Sequence, residues 1–132
     1  MTGESVDRDY SGVPLPRKLG IKEGSAVLVA AEGHSQRLAG PYDVIVFFVL
    51  TRRGLERRFR GLAKRLEPNG RLWISWPKKS SGIATDLDEH VLREVILPTG
   101  LVDNKVAAID ERWTGFQFVL RLENRPPVRP RA

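Results

Sequence analysis

The 132-residue sequence contains no cysteine, two histidines and no apolar run longer than the seven residues 44–50. The absence of cysteine excludes a disulfide scaffold, a cysteine-ligated zinc site, an iron–sulfur cluster and a thiol nucleophile. A bilayer-spanning helix needs about 20 apolar residues, and the polar, acidic N-terminus does not resemble a signal peptide. We therefore expect a soluble cytoplasmic protein that does not bind membranes.

The length of the chain suits one domain with a single hydrophobic core. Residues 1–12 lack hydrophobic periodicity, and residues 125–132 are basic and rich in proline, so both ends are predicted to be disordered. Residues 13–124 are predicted to form one α/β domain. The sequence contains no internal repeat.

The basic charge is concentrated in one segment. Residues 52–65 hold seven cations and one carboxylate, a net charge of +6 that equals the formal net charge of the whole chain. At about 100° per residue, the predicted apolar helical stripe consists of Leu55, Phe59, Leu62 and Leu66. The cations predicted to lie on the opposite face are Arg53, Arg57, Arg58, Arg60, Lys64 and Arg65.

Three interpretations of this basic face are open: a surface for an acidic protein, a surface for nucleic acid, and a solvated face without a partner. The aromatic side chains are placed for the core and do not alternate with the cations, which favours a protein partner over nucleic acid.

The order of the predicted elements indicates the fold class. Residues 43–50 predict a strand buried on both faces, because their apolar run does not alternate with polar residues. Strands are also predicted near 26–30, 71–76, 104–110 and 116–122, and helices near 17–20, 31–39, 52–66 and 85–97. This alternation predicts a three-layer α/β fold with a mostly parallel five-stranded sheet and helices on both faces. A C-terminal hairpin is expected to add one antiparallel strand at an edge.

Residues 66–74, Leu-Glu-Pro-Asn-Gly-Arg-Leu-Trp-Ile, resemble the stretch before the fifth strand of class I S-adenosylmethionine-dependent methyltransferases. The fourth strand of that class is similar to residues 42–47, and its terminal hairpin is similar to residues 104–122. Residues 76–87 and 97–106 more specifically resemble a family of small bacterial proteins of unknown function. The resemblance spans roughly residues 10–125 and implies a shortened Rossmann-like fold, with no established activity.

The sequence departs from these methyltransferases where the cofactor would bind. The turn after their first strand is rich in glycine, whereas Ala31 is followed here by Glu32 and a single glycine, Gly33. Only 12 residues separate Ala30 from Asp43, too few for a second strand whose acidic end would bind the ribose hydroxyls. We therefore predict a degenerate site and no cofactor. The alternative is S-adenosylmethionine held through Glu32, Gly33 and Asp43.

The loop after residues 71–76 is the first candidate for a ligand site. Ligands of open α/β sheets bind outside the carboxyl ends of the strands, and a helix N-terminus favours anions. The loop is expected to leave such an end and to enter a helix capped by Thr85, so it predicts a site for a phosphate, a carboxylate or an acidic side chain. Its candidate residues are Lys78, Lys79, Ser80, Ser81, Gly82 and Thr85. The alternative is a solvated loop whose lysines pair with nearby aspartates.

Asp110 and Trp113 are expected on the same rim of the sheet, where they would complete this site. The alternative is an internal pair between a lysine and Asp110, with Trp113 packed over the core.

We assign no catalytic residue and no metal centre, because His34 and His90 are far apart and no nucleophile or metal motif occurs. A combination of Glu32, His34 and Asp110 is the one metal-site alternative.

These observations predict a non-catalytic binding or regulatory protein with a degenerate methyltransferase-like fold. The expected partner is another protein with an acidic surface, or an anionic ligand. The alternatives are a small S-adenosylmethionine-dependent methyltransferase and a nucleic-acid-binding protein. A homodimer through an exposed edge strand is left open.

Overall fold

The computed structural model describes residues 15–33 and 37–121. The ends predicted to be disordered, residues 1–12 and 125–132, and the candidate His34 lie outside the described residues. The helices and strands are α1 (Leu15–Lys18), β1 (Val27–Ala31), β2 (Tyr42–Phe48), α2 (Arg52–Ala63), β3 (Leu66–Pro77), α3 (Glu89–Ile96), β4 (Leu101–Ala108) and β5 (Trp113–Leu120), with short 3₁₀ helices at Lys79–Ser81 and Leu97–Thr99.

The five strands form one sheet in the order β1-β2-β3-β5-β4. β1, β2 and β3 are parallel, whereas β5 is antiparallel to both of its neighbours. Four of the five strands therefore point the same way, which confirms the predicted fold class. The antiparallel strand is not at the edge, where we expected it. β4 takes the edge position instead. Its central residues, 104–106, are exposed there, whereas residues 115–119 of β5 are buried.

α2 and α3 cover one face of the sheet. Thr51 caps α2 as predicted, with its hydroxyl oxygen 2.9 Å from the Gly54 amide nitrogen that donates to it. Three residues of the predicted apolar stripe, Leu55, Phe59 and Leu62, are buried in α2, whereas Leu66 begins β3 because the helix ends at Ala63. Leu92 and Ile96 of α3 extend the same core. This core also contains Ile45, Phe47, Leu72, Ile74, Phe116 and Phe118 from the strands.

α1 and the residues after it cover part of the opposite face. Leu19 packs there with Val44, Val46 and Trp73. Trp73 is fully buried, and its indole nitrogen donates a hydrogen bond of 2.9 Å to the Leu19 carbonyl oxygen. Trp73 therefore contributes both packing and a hydrogen bond to the attachment of this short N-terminal segment.

The helix predicted for residues 31–39 is not present in the described part of this segment. Ala31 ends β1, Glu32 and Gly33 form a turn, and residues 37–40 have no regular structure. Two glycines with left-handed backbone conformations, Gly33 at φ +87° and Gly40 at φ +95°, interrupt helical geometry here.

β1 is one of the two edge strands of the sheet that the described residues form, and β4 is the other. β1 pairs on one side with β2, and no strand between β1 and β2 occurs in residues 15–33 and 37–121. Val29 is 59% exposed on this strand, which indicates that one of its faces is poorly covered by those residues. No helix among them is long and apolar enough to span a bilayer.

Candidate functional site

The loop after β3 leaves the rim at which β1, β2, β3 and β4 all end. The Lys78 amide donates a hydrogen bond of 2.8 Å to the Arg112 carbonyl oxygen, which ties the loop to the β4–β5 turn. The Ser81 hydroxyl donates to the Lys78 carbonyl oxygen (2.7 Å) and accepts from the Ile83 amide (3.1 Å). Ser81 is therefore used to fold the loop, whereas Lys79 and Ser80 are exposed.

Thr85 does not cap a helix, contrary to the prediction. Its hydroxyl donates to the Leu50 carbonyl oxygen and accepts from the Leu87 amide, so it joins the loop to the end of β2. α3 begins at Glu89, and Asp88 caps it by accepting a 2.9 Å hydrogen bond from the Val91 amide. The predicted cap at Thr85 is therefore wrong, and two carboxylates, Asp88 and Glu89, stand at the N-terminus of α3.

The loop nevertheless borders a cleft of about 480 Å³. The cleft lies between the loop and α3, at the carboxyl end of β3. Two of its lining residues, Lys78 and Lys79, belong to the predicted site, and the others are Trp76, Asp88, Glu89, His90, Arg93 and Thr114. The sequence analysis did not assign His90 or Arg93 to this site. Their spacing could have indicated that they lie together, because positions i and i+3 share one face of a helix.

The charges of the cleft differ in how far they are already neutralised. Arg93 donates to Asp103 at 3.2 Å, and its guanidinium carbon lies 5.0 Å from the centre of the Phe116 ring. The hydrogen bond to Asp103 and the charge of that carboxylate raise the pKa of Arg93. Arg93 therefore already has an anionic partner within the protein. Lys78 and Lys79 form no ion pair with another described residue. They are the cations that this cleft offers to an anion.

Asp110 and Trp113 lie on the expected rim but do not line this cleft. The Asp110 carboxylate accepts 2.8 Å hydrogen bonds from the amides of Arg112 and Trp113, so it shapes the β4–β5 turn. Trp113 packs edge-on against Phe48 with ring centres 5.4 Å apart, on the face of the sheet that α1 covers. Asp110 and Trp113 therefore belong to the turn that the Lys78 backbone contacts, but not to the lining of the cleft.

The three residues predicted for a cofactor do not come together. Glu32 and Gly33 follow the carboxyl end of β1, whereas Asp43 stands at the amino end of β2, about 16 Å away along an extended strand. There the Asp43 carboxylate accepts a 2.9 Å hydrogen bond from the Ala26 amide. Gly33 is exposed in its turn. Asp43 therefore lies apart from Glu32 and Gly33.

Glu32 holds the junction between β2 and α2. One of its carboxylate oxygens accepts from the amides of Leu50 (2.7 Å) and Thr51 (3.0 Å), and the other accepts from the Thr51 hydroxyl (2.7 Å). Burial raises the pKa of Glu32, but these hydrogen bonds outweigh it and hold the pKa below its usual value. The protein itself therefore stabilises the charged carboxylate, and both of its oxygens already accept hydrogen bonds.

The structure divides the predicted basic face of α2 into two groups. We call Arg53, Arg57, Arg60 and Lys64 the cationic stripe: they recur at i, i+4, i+7 and i+11, are exposed, and form no ion pair with another described residue.

Arg58 lies toward the other flank of α2, and Arg65 follows the C-cap residue of this helix. The guanidinium carbon of Arg58 is 5.5 Å from the centre of the Phe47 ring, and Arg65 donates to the Ala39 carbonyl oxygen at 3.1 Å. The prediction of one six-cation face is therefore corrected to a four-cation stripe.

Comparison with known proteins supports the fold. Neither a family model nor a curated protein matches the chain. Among solved structures, the magnesium protoporphyrin IX methyltransferase ChlM of Synechocystis PCC 6803 with bound SAH is similar over 64% of this chain and 47% of its own, with a TM-score of 0.51 and 16% identity. LepI in complex with SAM is similar over 91% of this chain and 50% of its own, with a TM-score of 0.51 and 11% identity.

The chain thus spans about half the length of both structures. At these identities the likeness shows a methyltransferase-like fold. It carries no activity over to this chain.

Proposed function

We propose that this chain is a cytoplasmic binding protein and not a catalyst, and that it holds a small anionic ligand in the cleft between the 78–85 loop and α3. The observation that carries this proposal is the position of Lys78 and Lys79, two cations without an ion-pair partner among the described residues, beside a cleft of about 480 Å³. Ligand sites of proteins have volumes of about 300–1,000 Å³, and those of open α/β sheets lie at this rim.

The ligand class follows from the charges of the cleft. A molecule with a carboxylate or a phosphate group would pair with Lys78 and Lys79. Asp88 and Glu89 line the same cleft and would repel a second anionic group placed near them. The proposal is therefore a ligand with its negative charge at one end.

The main competitor is a small methyltransferase, because both similar structures contain SAM or SAH. Three observations favour a binding protein instead. The hydrogen bonds of Glu32 are made within the protein, Asp43 lies at the opposite end of the sheet from Glu32, and no strand of the described residues lies beyond β1.

Charge reversal of the two lysines tests the proposed site. Phenyl phosphate and benzoate, each with a single anionic group at one end, serve as probes, and amide chemical shifts of the labelled protein report where each one binds. We expect saturable shifts near Lys79, Gly82 and His90, and at least tenfold weaker binding for Lys78→Glu with Lys79→Glu, because attraction becomes repulsion. The matched control, Lys22→Glu with Lys105→Glu, changes the net charge equally at exposed positions outside the cleft. An equal loss in both double variants would contradict the site.

Calorimetry with S-adenosylmethionine and S-adenosylhomocysteine separates the two functions. We expect no binding in the micromolar range. A micromolar dissociation constant, about −8 kcal/mol, that the lysine reversals leave unchanged would replace our proposal with the methyltransferase alternative.

A second candidate function is binding of an acidic protein through the cationic stripe. It is favoured by four exposed cations on one helix face without an ion pair to other described residues. Nucleic acid is less favoured, because Phe59, the aromatic residue of α2, is buried, which leaves no ring on this helix for stacking bases.

Reversal of three stripe cations tests this second function. We expect the Arg53→Glu, Arg57→Glu, Lys64→Glu variant to lose specific partners in a pull-down from the source cell extract. The control reverses Arg17, Lys22 and Lys105 and should keep those partners. Arg58 is left intact because of its contact with Phe47. If both variants recover the same proteins, binding of an acidic protein through the cationic stripe is contradicted. If the parent recovers RNA or DNA in place of protein, the stripe is assigned to nucleic acid.

A further inference from the structure

An apolar groove of about 260 Å³ opens beside the cationic stripe, at the end of the sheet opposite the cleft. The C-terminal half of α2 forms one wall, and the start of β4 with the end of β5 forms the other. It is lined by Phe59, Arg60, Ala63, Lys64, Leu66, Thr99, Leu101 and Leu120.

The groove combines an apolar floor with cations on one side. Arg60 and Lys64 belong both to its lining and to the cationic stripe, and the Arg60 guanidinium carbon lies 5.8 Å from the centre of the Phe59 ring. No carboxylate is among the described residues that line it. A cavity of about 150 Å³ is enough to hold a benzene ring, so this groove has room for one large side chain.

We propose that the groove receives a single apolar side chain, aromatic or aliphatic, from an acidic segment of a partner protein whose carboxylates contact the cationic stripe. This proposal deepens the second candidate function and rests on it. Protein interfaces commonly combine one buried anchor with a charged rim, in which the anchor supplies affinity and the rim supplies orientation and association rate.

The chain's own C-terminal residues are the main competing occupant. They follow Arg121, one residue after Leu120 of the groove. Residues 122–132 contain three arginines and one glutamate, so their net positive charge would meet Arg60 and Lys64 with repulsion. Charge complementarity therefore favours an acidic partner segment.

Two synthetic peptides test the proposal on the full chain. The first has one phenylalanine between three acidic residues on each side, and the second has alanine in place of the phenylalanine. We expect the first peptide to bind at least tenfold more tightly, because burial of the ring adds to an unchanged charge attraction. Its binding should shift the amide signals of Thr99, Leu101 and Leu120.

Substitutions distinguish the groove from the stripe. Ala63→Leu fills the groove on a helix that tolerates leucine, so it should remove the preference for the phenylalanine peptide and leave the alanine peptide unaffected. The matched control, Ala84→Leu on an exposed loop, should change neither. Arg53→Glu with Arg57→Glu, outside the groove, should weaken both peptides equally.

Three results would overturn the proposal: equal affinity for the two peptides, a preference that survives Ala63→Leu, or binding only after residues 122–132 are deleted. The last result would assign the groove to the chain's own C-terminus. If the Arg53 and Arg57 reversals leave the affinities of both peptides unchanged, the contact between the peptide carboxylates and the cationic stripe is contradicted. The cleft variant Lys78→Glu with Lys79→Glu should bind both peptides as the parent does.

Discussion

Gly54→Ala is expected to destabilise the protein by about 2 kcal/mol, although alanine is the better helix former. A Cβ atom at this position would overlap the carboxyl group of Glu32. Glu32 has no freedom to move aside at low cost, because its carboxylate accepts three hydrogen bonds from Leu50 and Thr51. The substitution should therefore break the contact that holds the start of α2.

The effect of Gly54→Ala on the free energy of unfolding should have the opposite sign when Glu32 is absent. In a Glu32→Ala background, Gly54→Ala gains helix propensity without a clash and should stabilise by about 0.5–1 kcal/mol. Urea unfolding of the parent, both single variants and the double variant gives the coupling energy. An equal cost of Gly54→Ala in both backgrounds would show that the clash with Glu32 is not what excludes a side chain at this position.

Acid titration adds an independent readout to this cycle. The pKa of folded Glu32 lies below its usual value of 4.5, so its contribution to stability is complete above that pH and disappears as the pH falls through the folded pKa. The parent should lose stability in acid more steeply than Glu32→Ala does. Equal slopes would mean that Glu32 makes no charge-dependent contribution, as expected for a carboxylate kept free for a ligand.

The central strand and the helix after it could be predicted because their signals are local. The apolar run at residues 44–50 indicates burial on both faces, and Thr51 stands directly before the periodic stripe of α2. Both features are confirmed, with residues 44–47 buried and Thr51 at the N-cap. Each depends on residues that are neighbours in sequence.

The start of α3 could not be predicted in the same way. Thr85 and Asp88 are both residue types that cap helices, and both precede the apolar positions of the helix. The hydrogen bond from the Thr85 hydroxyl to the Leu50 carbonyl oxygen, across 35 positions, decides between them. A contact of that range depends on the folded sheet, which local patterns do not specify.

The candidate site shows the same limit. Lys78 and Lys79 could be located because a loop after a parallel strand marks the ligand rim. Arg93 was missed because its place in the cleft depends on how α3 packs beside that loop. The sequence makes Glu32 a cofactor residue only in the alternative with S-adenosylmethionine, because it follows β1. Its hydrogen bonds to Leu50 and Thr51 connect residues 18 and 19 positions apart, which the sequence pattern does not indicate.

Trp73→Ala is expected to destabilise the protein by about 4 kcal/mol, a larger loss than that of Gly54→Ala. The side chain is fully buried, and its removal leaves a cavity between the sheet and the segment that contains Leu19. It also removes the donor to the Leu19 carbonyl oxygen. Thermal and urea unfolding measure the loss.

Trp73→Phe separates the packing of the ring from its hydrogen bond. It keeps most of the apolar volume and should cost about 1–2 kcal/mol, since the lost bond leaves a carbonyl oxygen without its donor. Hydrogen exchange should then become faster in residues 15–21 before it does so in the strands. Trp76→Phe on the same strand is the control, because Trp76 packs on the opposite face against Phe116 and should leave that exchange unchanged. Uniformly faster exchange in Trp73→Phe would mean that the tryptophan stabilises the whole domain and has no special role in attaching the N-terminal segment.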